Sequence, residues 1–152
     1  IVEPFAVSHD AADPIGINVF SGKDKATVVT DTGIISDDIL HRIDDSTLLV
    51  LEANYDPHML RFGPYQPFLK QRVASDEGHL SNEMAAQALL MMKRPDFMQV
   101  ILAHRSENNN NAVLVTQTIG KMLVDGGVRI GPEMKLQHGQ PNEIVSMQSI
   151  KR

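Results

Sequence analysis

Residues 48–86 read LLVLEANYDPHMLRFGPYQPFLKQRVASDEGHLSNEMAA, and this stretch decides the fold class. It opens in a continuous apolar run, Thr47–Glu52, with the length and composition of a buried strand that ends on a carboxylate. Helical spacing follows at His58–Arg61 and Pro67–Ala74, each segment punctuated by Gly or Pro. The stretch closes on Gly78-His79, a turn that opens onto an amphipathic helix at Asn82–Met92, where Met84, Ala85, Ala88, Leu89 and Met92 share one face. Ser81 is the expected N-cap, and Glu83 in the first turn complements the helix dipole. A strand that feeds helices and then another strand is the pattern of a crossover connection in a partly parallel sheet.

Outward from this stretch, apolar runs at Ile1–Val7, Gly16–Phe20, Ala26–Thr30, Met98–Ala103, Val128–Ile130 and Ile144–Met147 read as further strands. Two more helices are expected at Asp37–Ile43 and Asn111–Val124, the second with Ala112, Val115, Ile119, Met122 and Leu123 on one face. Gly22–Lys25 reads as a hairpin turn, which makes the early strands antiparallel. The run Asn108–Asn111 reads as the turn and cap before the last long helix. The fold class is mixed α/β. At 152 residues and 42% hydrophobic content, with no repeat or linker, the chain fits one domain able to bury a core.

Fourteen basic and 19 acidic residues give a formal net charge of −5, so no global field draws the chain to nucleic acid or anionic membrane. A nucleic-acid role then needs a local basic patch or a metal. The absence of cysteine removes disulfides, thiolate zinc sites and a cysteine nucleophile, which fits a cytoplasmic location. Any metal must use His, Asp or Glu. No apolar run approaches the ~20 residues that span a bilayer, so no membrane partner is expected. The first residue is Ile1, in a strand-like run, and the N-terminus reads as processed or cut.

Three histidines stand where apolar segments end or begin: His9 in VSHDAADP, His79 in GHLSNE and His104 in LAHRS. At His9 and His104 a neutral imidazole is a candidate metal ligand whose tautomer a neighbouring acid can fix; a loop histidine bonded to a local acid, or one satisfied at the core edge, is the plain alternative, and His79 is not expected to be a ligand. Asp31, after ATVVT and before Thr32-Gly33, projects a carboxylate that can bridge two cations or close an Asx-turn. Glu52, at the end of LLVLE, lies at the same rim as His79 if the two loops meet. A carboxylate paired to an imidazole raises its basicity and readies it as a proton donor, although Glu52 could equally bond backbone. The turn after His79 could also take a phosphate on its free N–H groups. Lys70 and Arg72 are solvated cations or phosphate contacts. There is no Walker or dinucleotide glycine loop, no G-x-S-x-G and no H-E-x-x-H. The eight methionines, Met84, Met91 and Met92 among them, read as packing residues.

Taken together, PFAVSHDAADPIG, TDTG, the stretch quoted at the outset and VILAHRSENNN resemble the second half of a metallo-β-lactamase-fold hydrolase, most closely the YycJ/WalJ/VicX branch of DNA-directed exonucleases. The resemblance runs over residues 1 to 124 and implies a mixed sheet with flanking helices, the second half of an αββα sandwich. It implies two divalent ions, zinc or manganese, with His9, Asp31 and His104 as ligands and Asp31 bridging. Glu52 and His79 are similar to the pair that related tRNA-processing enzymes use for proton transfer and phosphate contact, with Asn54, Ser81 and Asn82 lining the rim. The HxHxDH motif of the family's first half is absent, Tyr55 stands where many relatives carry His, and Arg105 stands where an apolar residue is usual.

The function that follows is phosphodiester hydrolysis on nucleic acid, DNA above all, by a metal-held hydroxide attacking phosphorus, with His79 assisting the leaving oxygen. His9, Asp31 and His104 supply at most half of a two-metal site, so this chain alone is expected to be inactive. The expectation is a C-terminal half, natural or proteolytic, that lacks roughly 100 N-terminal residues and leaves one sheet face seeking a partner. A homo-oligomer stays open. The alternatives are a hydrolase of small esters or thioesters and a non-catalytic interaction fragment.

Overall fold

The computed structural model describes residues 1–140, 144 and 145. Their frame is a six-stranded mixed sheet in the order β1-β2-β3-β4-β5-β6. β1 (Val2–Ala6), β2 (Ile15–Ser21) and β3 (Asp24–Val29) form an antiparallel meander, and β4 (Leu48–Glu52), β5 (Met98–Ala103) and β6 (Met134–His138) continue from β3 in parallel. The expected hairpin joins β2 to β3 through Gly22-Lys23, and Gly22 takes φ +60°, which a residue without Cβ adopts at no steric cost.

Five helices connect the strands close to the expected positions: α1 (Asp37–Ile43), α2 (Pro57–Phe62), α3 (Pro67–Val73), α4 (Asn82–Met91) and α5 (Ala112–Asp125). Ser36, Asp56, Ser81 and Asn111 cap α1, α2, α4 and α5, each side chain accepting a backbone N–H of the first turn. Pro57 and Pro67 start α2 and α3, where the missing N–H costs nothing. The expected stripes hold, with Ala85, Ala88 and Leu89 of α4, its C-cap Met92, and Val115, Ile119 and Leu123 of α5 buried.

One face of the sheet carries the core. Phe5, Val29, Leu49, Leu51, Val100 and Leu102 pack with Ile39, Ile43 and the buried stripes of α4 and α5 in one cluster. The alternate residues form apolar rows across the opposite face: Pro4–Ile17–Val28–Val50–Ile101 and Val2–Val19–Ala26–Leu48. That face is open. Val19 is 41% exposed and Val28 40%, far above what core valines show.

Two expected strands are corrected. Val128–Ile130 is the exit from α5: Gly127 takes φ +86°, Val128 donates to Leu123 O at 2.9 Å, and only an isolated bridge joins Ile130 to Met134. Ile144 and Val145 lie in no strand, and the rest of Ile144–Met147 falls outside the described residues. The sixth strand is instead β6, whose sequence MKLQH alternates too weakly to announce itself.

Candidate metal centre

Parallel strands deliver their C-terminal ends to one edge, and the residues that follow β3, β4 and β5 therefore meet there. Asp31 comes from the turn after β3, Glu52 ends β4 and His104 follows β5; His9 arrives from the loop after β1, and His79 from the turn before α4. Asp31 (φ 56°) and His104 (φ 51°) hold left-handed backbone without being glycine, which costs on the order of 1 kcal/mol each and is retained where a side chain must be aimed.

Glu52 organises the site from below. Its carboxylate is fully buried; Oε2 accepts the backbone N–H of Thr32 at 3.2 Å and of Leu80 at 3.3 Å. Oε1 accepts Nδ1 of His79 and Nδ1 of His104, both at 2.7 Å. Burial is the largest single influence on Glu52 and pushes its carboxyl up, but the bonds from His104 and His79, the charge of His79 and the Thr32 N–H together leave it below the usual glutamate value. The bond to Glu52 in turn raises the His104 imidazole above its usual value, the charges of Glu52 and Asp31 adding and burial opposing.

His9 completes the pattern, with Nδ1 3.1 Å from the carbonyl oxygen of Gly78. A carbonyl or carboxylate only accepts, so all three imidazoles donate from Nδ1, which leaves Nε2 of His9 and His104 available to a metal and Nε2 of His79 available to carry a proton. His9 Nε2 lies 3.7 Å from Asp31 Oδ1, and His104 Nδ1 lies 3.6 Å from the same oxygen. The His79 ring stands between the others, 5.1 Å centroid to centroid from each. Gly78 permits this closure, because a Cβ there would collide with the carbonyl oxygens of Arg72 and Val73.

The donors fit a divalent ion. Ligand atoms of His9, Asp31 and His79 lie within 4.8 Å of one another; Glu52, His79 and His104 cluster as closely, but there the Glu52 carboxylate takes the Nδ1–H of both rings and orients them. Imidazole nitrogen with carboxylate oxygen is a set that zinc and manganese both accept. His79, expected as a proton donor and phosphate contact and not as a ligand, also stands within ligand distance of His9 and Asp31.

The cluster opens into a cavity of about 480 Å³ whose walls include Asn54, Tyr65, Leu69, Arg72 and Arg105. Arg72 Nε donates to Asp10 beside His9, and that bond, the first influence on Asp10, holds its carboxyl below the usual range. Lys70 does not line the cavity wall: its Nζ donates to Arg61 O at 2.8 Å and ties α3 to the end of α2.

Ser81 and Asn82, expected at the rim, are buried behind it. Ser81 Oγ is engaged as the α4 cap, and the Asn82 amide pairs with Asn110 at 2.8 and 3.1 Å. Asn54 lines the cavity, but its amide N–H is held by His104 O at 2.8 Å, which steadies the strained His104 backbone. Sequence reading missed Asn110, whose buried amide donates to Ala53 O, Asn54 O and Asn82 Oδ1 and joins the loops after β4 and β5 to α4. Its signal was present, an asparagine run directly after a strand end, but such runs also form plain turns, as Asn111 does in capping α5.

The same topology is found in a solved metallo-β-lactamase fold protein, YhfI from Bacillus subtilis, with TM-score 0.61 and 11% identity over 91% of this chain and 46% of that one. The chain has the metallo-β-lactamase fold over the part that it spans. Its sequence is 34% identical over 149 residues to the exodeoxyribonuclease YycJ of Bacillus anthracis, covering 98% of this chain and 56% of the relative. It is 32% identical over 149 residues to the exodeoxyribonuclease WalJ of Streptococcus pneumoniae serotype 2, covering 98% and 55%. No protein-family model matches. The chain spans about half the length of the curated relatives it matches. The metallo-β-lactamase fold implies divalent-metal use, and the candidate donors are those at the mouth of this sheet. Among the described residues no helix is long and apolar enough to cross a membrane.

Proposed function

We propose that this chain carries half of the active site of a metal-dependent phosphodiesterase that acts on DNA ends, with His9, Asp31 and His104 as metal ligands. The observation that carries the reading is the convergence of five donors from five separate segments on one strand edge, all three imidazoles oriented through Nδ1. Similarity to YycJ and WalJ supports the choice of DNA. Bound divalent ions supply Lewis-acid stabilisation of phosphoryl oxygens and activation of water at neutral pH.

The residues of the chain do the rest. Glu52 holds His79 by Nδ1, so a protonated ring offers Nε2–H to the departing oxygen. Arg72, on the cavity wall, offers a guanidinium to a phosphate, sharing it with Asp10. Three to four protein ligands per ion are normal, and these residues do not fill two ions. The remaining ligands come from residues outside this sequence, in a layer that also covers the open, apolar face of the sheet. A second copy of the chain is the competing occupant of that face.

The test is a manganese-dependent nuclease assay on single- and double-stranded DNA, run on a polypeptide that joins this chain to the complementary ligands. His79→Ala should lower kcat by about 100-fold or more. Unchanged activity in that variant defeats the proton-donor role. Turnover of thioesters without turnover of bis(p-nitrophenyl) phosphate favours the small-ester alternative instead.

A further inference from the structure

We propose that the α2–α3 segment, residues 57–73, is a stacking platform for single-stranded DNA at the mouth of the cavity; this rests on the phosphodiesterase reading and names where its substrate strand lies. The segment reads PHMLRFGPYQPFLKQRV and holds Arg61, Lys70 and Arg72 with no acidic residue, in a chain whose net charge is −5. Its sequence is net positive on an acidic protein, Arg72 sharing its charge with Asp10. Two aromatic rings stand out from it, Phe62 at 67% and Phe68 at 71% exposure, neither placed in the small core of Tyr55, Leu60 and Val73 that supports the two helices.

The geometry connects these rings to the cavity. Phe68 precedes Arg72 by one helical turn, so the two are neighbours on the surface of α3, and Arg72 with Tyr65 and Leu69 lines the cavity wall. Lys70 Nζ donates to Arg61 O, which fastens the cationic face of α3 beside Phe62. The Phe62 ring carries His58 at 4.6 Å and the Arg61 guanidinium at 5.3 Å from its centroid. Bases stack on exposed aromatic and guanidinium planes whatever their identity, while cations follow the phosphates; alternation of the two is the chemistry of sequence-tolerant single-strand binding. Charge density favours DNA, with an anionic phosphate at every nucleotide, over a second copy of this chain, whose net charge of −5 is spread over 152 residues.

The experiment is fluorescence anisotropy of a labelled thymidine 12-mer titrated with the chain in chelator, which isolates the platform from metal chemistry. Phe62→Ala and Phe68→Ala are each expected to weaken binding roughly tenfold. Phe68→Tyr should restore affinity and Phe68→Leu should not, a split that loss of mere apolar surface does not produce. Lys70→Gln should reduce the dependence of log K on log salt by about 0.7. Nuclease activity of the joined polypeptide is read separately from 12-mer binding by this chain in chelator, which separates the platform from the active-site reading: absent activity with retained, Phe62- and Phe68-dependent binding supports the platform. No measurable binding by the wild type overturns the proposal, as do equal affinities of wild type and both alanine variants. It is also overturned if the alanine variants convert a dimer to a monomer in sedimentation without changing oligonucleotide affinity.

Discussion

The two faces of the sheet are made by the same strands, yet one is sealed and the other is not. Leu49 and Leu51 of β4 are fully buried under α1, α4 and α5, while the alternate residues Leu48 and Val50 stay partly exposed in the apolar rows of the other face. An antiparallel sheet built to meet water on one side alternates apolar with polar residues; LLVLE and MQVILA are apolar on both sides, as strands covered on both faces are. The chemistry sits at the edge where the two faces meet, at the strand ends.

The sharpest way to break this comparison is to truncate neighbours that point to opposite faces. Leu51→Ala should cost about 2–5 kcal/mol in urea denaturation, through lost burial and a cavity. Val50→Ala should cost less than about 1 kcal/mol in the same chain, because its site is already partly hydrated. Equal losses would mean that the second face is covered after all.

At the edge, Glu52→Ala removes the acceptor of four hydrogen bonds. The expected loss is about 1–3 kcal/mol, with histidine NMR of the variant showing both Nδ1 and Nε2 tautomers at His79 and His104. Retained single tautomers would show that Glu52 does not orient the rings. On the open face, Val19→Lys and Val28→Thr should change the stability of this chain by no more than about 0.5 kcal/mol while lowering the binding of a hydrophobic dye. A larger loss would point to packing on that face.

The smallest effect is a pH dependence away from the site. Burial first, then the charge of Arg105, holds the His138 imidazole below its usual value, and Thr116 Oγ1 lies 2.9 Å from Nε2. A depressed histidine favours the fold in its neutral form, so stability is full above the unfolded value near 6.5 and falls as pH drops through the lower, folded value. Thermal melts of wild type and His138→Gln should diverge only on that acidic limb.

Much of this arrangement was legible in the residues. Continuous apolar runs, caps such as Ser81 and Asn111, and prolines at helix starts located β1 to β5 and all five helices within a few residues. β6 was hidden because MKLQH has too few apolar residues to show a period of two, and Val128–Ile130 misled because a buried helix exit is as apolar as a strand. At the candidate site, the positions of His9, Asp31, Glu52, His79 and His104 at segment ends were readable. The sharing of one Glu52 oxygen by two imidazoles was not, since it depends on how closely the loops after β4 and β5 approach. The burial of Asn82 was equally hidden, because its partner Asn110 lies 28 residues away and no local pattern links them.

The central claim, that His9, Asp31 and His104 with His79 form part of a divalent-ion site, is tested most directly by manganese-induced line broadening in the histidine ring spectra of this chain. The method detects occupancy even where half of a ligand set binds weakly. The account predicts that substoichiometric manganese broadens His9, His79 and His104 first and leaves His41, His58 and His138 sharp, and that Asp31→Asn abolishes the selectivity. Uniform broadening of all six rings, or selective broadening at His41, His58 or His138, would contradict it.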